Sequence, residues 1–476
     1  MSDVSSGTNN LYKNYRESKM SINEEEVRKL NRPFTPWGKL VLVSFFLVYL
    51  FIIWEFTARG GQWYFLGGLM FFYLIVKKGL ALLYKPSKNE LTKDYKVTAL
   101  ITAYNEKPES VVGILDNLLA LDYPVHAILL LDDGSKDSLA YEVAQSFAAD
   151  HQGEGVPQFQ IVRFEENRGK MEVLREGFRR AQGDHVFLVD SDCQIMPNAL
   201  TELLRPFEDD KVNSCVGNIG ILNKGENFLT KLQSLKYFGA FQMGRAAQSM
   251  TGDVVICSGA FSLHKRDFLL EHIDEIEPAN VCGITVSAGD DRTITALSRM
   301  SGGKTKYQST AYCETEAPNT WKQLLSQRRR WQRSSYLVSL SSIKRTLTKR
   351  PIFAFWTAGE SYLWIVTTAM VIMALLSRGF YFNLRDLVIY FLAISAAHAG
   401  FYLLYRPVRF LLVPVYSFIH GIFLTVVRVY AALTIRNDSW GTRQASQEKS
   451  LNSPLGEHSI CHLHEPCYVC SANNVA

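Results

Sequence analysis

The chain has 476 residues, ample for several domains, with 47% hydrophobic and 20% charged side chains. Its net charge of +5 is small, and the basic residues bunch beside long apolar runs. That pattern suits the cytoplasmic face of a membrane and argues against a nucleic-acid partner. Neither a Walker A motif nor G-x-G-x-x-G stands at a strand-to-helix turn, which argues against a P-loop nucleotidase or a dehydrogenase.

Residues 1–36 are polar and charged and read as a cytosolic tail, with a helix around 23–30. Residues 40–57 form a first apolar run long enough to cross a bilayer, and 63–76, extending as far as 83, form a second. Lys77, Lys78, Lys85, Lys88 and Lys93 follow, with one arginine between the runs. By the positive-inside rule, residues 37–84 make a transmembrane hairpin with both flanks cytosolic. The late onset of the first run, near Leu40, is unlike a cleavable signal peptide. Cys193, Cys215, Cys257, Cys282 and Cys313 are scattered at no paired spacing and read as reduced, cytosolic thiols.

The middle of the chain alternates. Residues 95–103, 126–131 and 160–164 read as strands, and 111–121, 137–149 and 167–181 have helical character. This order predicts a mostly parallel sheet with right-handed crossovers. Polar residues gather where the strands end: Tyr104-Asn105-Glu106, Asp132-Asp133-Gly134-Ser135 and Gly169-Lys170. The central strand, Val186-Phe187-Leu188-Val189, runs straight into Asp190-Ser191-Asp192. In an extended strand, residues two apart point to the same side, so Asp190 and Asp192 can face one site together. That site lies at the strand's carboxyl end, where open α/β sheets bind ligands. Two hard oxygen donors there suit Mg²⁺ or Mn²⁺ carrying a diphosphate; the plain alternative is a buried strand closed by a polar turn. Taken together, the strand ends describe a nucleotide pocket: acidic groups for uracil and ribose, Lys170 for a phosphate, and the aspartate pair for the metal.

Further on, residues 254–258 lead to Gly259-Ala260-Phe261, and a loop follows. Gly289-Asp290-Asp291-Arg292-Thr293 then opens a helix. An acidic pair there is either a favourable helix start or a general base that takes a proton from a sugar hydroxyl. Gln327-Arg328-Arg329-Arg330-Trp331 is either a basic membrane-surface helix or a place where Trp331 stacks on a sugar while arginines hold phosphate. Residues 336–347 read as an amphipathic helix lying on the membrane. Candidate spans follow at 354–376, 387–404 and 410–435. Simple counting puts the segment after them outside the cell, but Pro414, Gly421 and Arg428 leave open a last run made of two pieces. The tail, 444–476, carries Cys461, His462, His464, Cys467 and Cys470, a set that can hold zinc.

The motifs Asp132-Asp133-Gly134-Ser135, Gly169-Lys170, Asp190-Ser191-Asp192, Gly289-Asp290-Asp291-Arg292 and Gln327-Arg328-Arg329-Arg330-Trp331 occur in an order that resembles the processive, membrane-integrated family 2 glycosyltransferases. The stretches Tyr84-Lys85-Pro86, Arg245-Ala246-Ala247-Gln248-Ser249, Val255-Ile256-Cys257-Ser258-Gly259 and Trp440-Gly441-Thr442-Arg443 are similar to bacterial hyaluronan synthases of the streptococcal kind, with rhizobial chitin-oligosaccharide synthases next. The resemblance implies an α/β GT-A-like domain inserted between transmembrane and interfacial helices, and an inverting mechanism using UDP-sugars and Mg²⁺ or Mn²⁺. It implies that Tyr104, Glu106, Asp133, Lys170, Arg328 and Arg329 contact the UDP and that Asp190 and Asp192 sit at the metal. Asp291, with Asp290 beside it, would be the base. Gln327, Arg330 and Trp331 would lie at the acceptor and diphosphate, and Trp440, Thr442 and Arg443 on a gating segment. Three departures touch the pocket: Ala260 where the family has Pro, Met171 where hyaluronan synthases have Arg, and no Arg-Glu pair after Trp331.

The expected organisation is a catalytic domain over 95–335, an interfacial helix over 336–350, channel helices over 351–436 and a gating segment over 437–443. The expected activity is a multi-pass cell-membrane synthase, its catalytic domain cytosolic, that polymerises UDP-sugars onto a growing polysaccharide. Hyaluronan heads the products. A chitin-type or other polysaccharide synthase, a single-addition lipid glycosyltransferase, and an exporter whose domain only binds nucleotide-sugar are the alternatives.

Overall fold

The computed structural model describes residues 22, 24–31, 35–58, 64–281, 283–286, 288–376, 388, 392, 395, 402–403 and 411–436. Most of the span expected at 387–404, the gating segment with Trp440, Thr442 and Arg443, Cys282 and the Cys/His tail lie outside these residues.

Strands β1 (Val97–Ala103), β2 (Ala127–Asp132), β3 (Gln158–Arg163) and β4 (His185–Val189) alternate with helices Pro108–Leu119, Leu139–Asp150 and Lys170–Arg180. Strands β1, β2 and β4 are nearly continuous apolar runs, as strands covered on both faces require. The first helix starts with Pro108, whose fixed φ suits a first turn, and buries Val111, Ile114, Leu115 and Leu118 on one stripe. These elements match the expected ones to within a few residues.

Strands β5 (Gln194–Ile195), β6 (Val212–Ile221), β7 (Phe261–Lys265) and β10 (Lys304–Thr315) complete an eight-stranded sheet, while β8 (Ala279–Val281) and β9 (Ile284–Val286) form a separate hairpin. The order is β3-β2-β1-β4-β7-β6-β10-β5. The sheet is mostly parallel, but β7 runs antiparallel to both β4 and β6, and β5 runs antiparallel to β10. The segment after Phe261 is therefore not the expected loop. It enters the middle of the sheet because its two polar residues are satisfied there: His264 bonds the hydroxyls of Ser214 (2.8 Å) and Ser262 (2.9 Å) through its two ring nitrogens. With β2 and β3 on one side of β1 and β4 on the other, the carboxyl ends of β1 and β4 flank a topological switch point.

Long helices surround this domain: Pro36–Ala58, Tyr64–Leu83, Trp321–Lys349, Pro351–Leu376 and Val413–Leu433. Among the described residues, Val413–Leu433 is long and apolar enough to cross a membrane. It is one unbroken helix, because Pro414 sits in its first turn where no backbone donor is lost, and Gly421 and Arg428 do not interrupt it. Trp321–Lys349 is likewise continuous and contains both the arginine motif and the stretch expected as an interfacial helix. Helices Tyr64–Leu83 and Pro351–Leu376 touch at Gly359, where a Cβ would meet the Tyr73 ring at 2.1 Å. Beside it, Glu360 accepts a hydrogen bond from Tyr73 (2.8 Å) and pairs with Lys77. Cys193, Cys215, Cys257 and Cys313 are buried free thiols, as their spacing suggests.

Candidate active site

Strand β4 ends at Val189, and the next residues turn back, with the Cys193 N–H donating to the Asp190 carbonyl at 3.2 Å. Asp190 and Asp192 are thus brought together by a turn, not by strand alternation. The reason is local: Asp-Ser-Asp is turn-forming, and Ser191 is buried beneath it. Asp192 accepts a hydrogen bond from Thr315 Oγ1 (3.1 Å) at the end of β10. Burial, then the carboxylates of Asp190 and Glu106, push Asp192 up to about 7.

Lys170 opens its helix directly after Gly169, whose φ of +89° lies in the left-handed region. Its ammonium is 2.9 Å from Asp190 Oδ1, so lysine and aspartate pair with each other here. Asp133 holds the loop that leads to this lysine. Its carboxylate accepts from the N–H groups of Arg168 (2.6 Å) and Gly169 (3.0 Å) and from the Asn167 amide (3.0 Å). Asn105, in the left-handed region at φ +52°, ties the end of β1 to the end of β2. Its N–H donates to Ser135 Oγ and its side-chain oxygen accepts from Lys136 N–H, both at 2.8 Å. Tyr104 and Glu106 flank it and line the cavity.

Asp290 and Asp291 begin the helix Asp290–Met300, after Gly289 at φ +113°. A Cβ on Gly289 would lie 1.9 Å from Ser334 Oγ, so the long helix Trp321–Lys349 packs directly on this turn. Asp291 Oδ1 accepts from the Arg292 N–H at 2.8 Å. Burial, then Asp290, raise Asp291 to about 6, against the opposing pull of Arg292 and Lys170.

These elements enclose a cavity of about 740 Å³. Tyr104, Glu106, Asp133, Lys170, Asp190, Asp192, Asp290, Asp291, Gln327, Arg328, Arg330 and Trp331 all line it. Arg329 does not: its guanidinium lies 5.8 Å from the Tyr430 ring, toward the helix Val413–Leu433. Successive helical residues point about 100° apart, so three consecutive arginines cannot share one face. Lys236, Tyr237 and Arg245 also line the cavity, and the sequence reading assigns them no role. They come from helix Phe228–Phe238 and the π-helical turn Gly239–Arg245 that follows it, a distortion common at functional sites. Arg245 opens the stretch Arg245-Ala246-Ala247-Gln248-Ser249 that carries the resemblance, whereas Lys236 and Tyr237 have no local signal, because such a pair in a half-apolar helix is ordinary.

Among the described residues, no group of three or more His, Cys, Asp or Glu stands ready for a metal. The aspartate pair with Thr315 nonetheless fits a hard divalent cation, whose charge would relieve the repulsion that raises Asp192.

The sequence profile of the glycosyltransferase-like family 2 matches residues 95–334. A hyaluronan synthase of Streptococcus pyogenes is 34% identical over 381 residues, 79% of this chain and 90% of the relative. An N-acetylglucosaminyltransferase of Azorhizobium caulinodans is 27% identical, covering 74% of this chain and 88% of the relative. The solved structure of a Pyrobaculum calidifontis mannosyltransferase in complex with GDP-Man and Mn²⁺ superposes with a TM-score of 0.51 at 21% identity, over 80% of this chain and 98% of that one. That likeness shows a GT-A-like fold. By the family profile and the streptococcal relatives, the chain belongs to the family 2 glycosyltransferases and is a homologue of the hyaluronan synthases.

Proposed function

We propose that this chain is a processive, inverting β-glycosyltransferase that polymerises UDP-sugars at the cytosolic face of the cell membrane and extrudes the polymer, with hyaluronan from UDP-GlcNAc and UDP-GlcUA as the product. The observation that carries this reading is one cavity at the carboxyl ends of β1 and β4 that gathers an aspartate pair, a half-buried carboxylate raised to about 6 and a tryptophan beside arginines. Homology to hyaluronan synthases over most of the chain supports the choice of sugars.

In this mechanism Tyr104 and Glu106 border the uridine, and Asp133 keeps the 167–169 loop folded so that Lys170 can swing from Asp190 to a phosphate. A divalent cation, Mg²⁺ or Mn²⁺, held by Asp190 and Asp192 would neutralise the diphosphate. Asp291 takes the proton of the acceptor hydroxyl as its oxygen bonds to C1 of the donor, with Asp290 beside it. The C1–diphosphate bond breaks with its electron pair on UDP, and inversion of an α-linked donor gives a β linkage. Arg330 and Lys170 face the departing charge. Gln327 and Trp331 border the acceptor, and Trp440, Thr442 and Arg443 gate the site.

Residues 95–335 form the catalytic unit, and the flanking helices anchor it and form the channel. Exposed Leu40, Val43, Leu47, Phe51 and Trp54 on helix Pro36–Ala58 support a lipid-facing surface. A donor screen on the purified chain with Mg²⁺ or Mn²⁺ tests the reading, with UDP release and polymer size read for each donor and for pairs. Long, hyaluronidase-sensitive polymer only with UDP-GlcNAc plus UDP-GlcUA is expected. Polymer from UDP-GlcNAc alone would make it a chitin-type synthase, a short glycolipid a single-addition enzyme, and no UDP release with any donor would leave only nucleotide-sugar binding.

A further inference from the structure

Arg328 is 4% exposed, and among the described residues neither Nη1 nor Nη2 has a hydrogen-bond partner. A guanidinium shut away from water with two unused donors is costly, and such a group signals a missing acceptor. Its plane lies 4.4 Å from the Trp331 ring, and the Lys236 ammonium lies 5.7 Å from the same ring. A lysine and an arginine from two different helices thus both approach one indole, which lines the cavity and is still 36% exposed.

Among the described residues, no carboxylate acts on either group. Lys236 is held well below its usual range by burial and then by the guanidiniums of Arg328, Arg428, Arg292 and Arg245. Around Arg328 the titratable groups that act on it are the phenols of Tyr237 and Tyr416. The cavity's carboxylates come instead from the ends of β1, β2, β4 and β10 and from the start of helix Asp290–Met300. Position narrows the choice of anion further. Lys236 and Arg328 also line a small apolar pocket formed with Tyr416, Ile419 and Phe423 of helix Val413–Leu433. They therefore stand where the cavity meets the helix long enough to cross a membrane, the side by which a polymer leaves.

We propose that Lys236 and Arg328, with Trp331 as the stacking platform, form an acceptor subsite that reads the carboxylate of an acidic sugar. This rests on the synthase reading above and deepens it by naming a uronate as the acceptor's recognised group. It moves Arg328 from the nucleotide, where its place in the arginine run puts it, to the acceptor. A uronate laid on the indole presents its carboxylate at the ring's edge, within reach of both side chains, and its negative charge opposes the burial that lowers Lys236.

The test is acceptor binding to the full-length protein in detergent without donor. One oligosaccharide of alternating glucuronate and N-acetylglucosamine ends in glucuronate; its partner is the same oligosaccharide with carboxylates reduced to alcohols. The wild-type protein should bind the acidic oligosaccharide about tenfold more tightly, the worth of one charge-assisted hydrogen bond, and Lys236→Gln should erase that preference. UDP binding in the presence of Mn²⁺ is measured on the same samples. Equal wild-type affinity for the two oligosaccharides overturns the proposal and needs no variant to fold. So does Lys236→Gln weakening UDP while leaving the acidic preference intact, which would assign the cations to the diphosphate. The donor screen is read separately: mixed polymer with no acidic preference removes only the subsite, and polymer from UDP-GlcNAc alone removes only the hyaluronan reading.

Discussion

Asp291 combines burial with a neighbouring carboxylate, and the two together raise it to about 6, which suits the general-base role proposed for it. A carboxyl raised to about 6 is protonated below that pH and ionised above it. A base works only when ionised, so kcat/KM should rise with pH through about 6 and flatten above it. Asp192, pushed up to about 7, adds a second limb at low metal; saturating metal competes with its proton and should remove that limb. Asp291→Asn should lower transfer by about 10²–10⁴-fold with the fold intact, and retained activity would sink the assignment. Asp133 makes a different kind of prediction. Its carboxylate closes the 167–169 loop through three hydrogen bonds, so Asp133→Ala removes three charge-assisted bonds to partly exposed donors and should cost about 1–3 kcal/mol in thermal or denaturant unfolding. A purely nucleotide-contacting aspartate would leave the unfolding curve in place.

The helix Asp290–Met300 is gripped at both ends by one continuous stretch of chain. Ser334 of helix Trp321–Lys349 fills the space over Gly289, and at the far end Lys349 Nζ donates to the Met300 carbonyl (3.1 Å). Arg350 donates to the carbonyls of Gly302 and Gly303, both at 2.6 Å. Gly289→Ala adds a methyl group into the Ser334 hydroxyl at a φ of +113°, which alone costs about 1–3 kcal/mol. Transfer should fall with stability, and adding Ser334→Gly should recover the steric share but not the backbone share, a split that a double-mutant cycle reads directly. The elements differ in how far their sequences announced them. Strands β1 to β4 were legible because buried parallel strands are apolar runs and their helices carry a clean stripe. Strands β7 and β10 were not, since Ser262, His264, Thr305 and Gln308 look like surface residues until their partners are known. The site was legible as a set of motifs, yet the aspartate pair meets through a turn, Arg329 faces away, and Lys236 enters only because two helices distant in sequence converge.

On the scale of the whole molecule, the long helices carry exposed apolar side chains: Trp37, Phe51, Trp54, Phe72, Ile365, Val426 and Leu433. Such a surface fits the lipid-facing role proposed for these helices. The chain should stay with the membrane pellet through alkaline carbonate washing and come away only in detergent; recovery in the wash would refute the lipid-facing surface. The order of the sheet carries one more consequence, for the birth of the protein. Asp192 and the Thr315 hydroxyl that steadies it are 123 residues apart in the chain. A ribosome adding about 5–20 residues per second takes roughly 6–25 s to cover that interval. Until β7 has been made, β4 is the open edge of the strand group β3-β2-β1-β4. Whatever occupies that edge first, the proper strand or a neighbour on the same messenger, decides whether the carboxylates ever share a pocket.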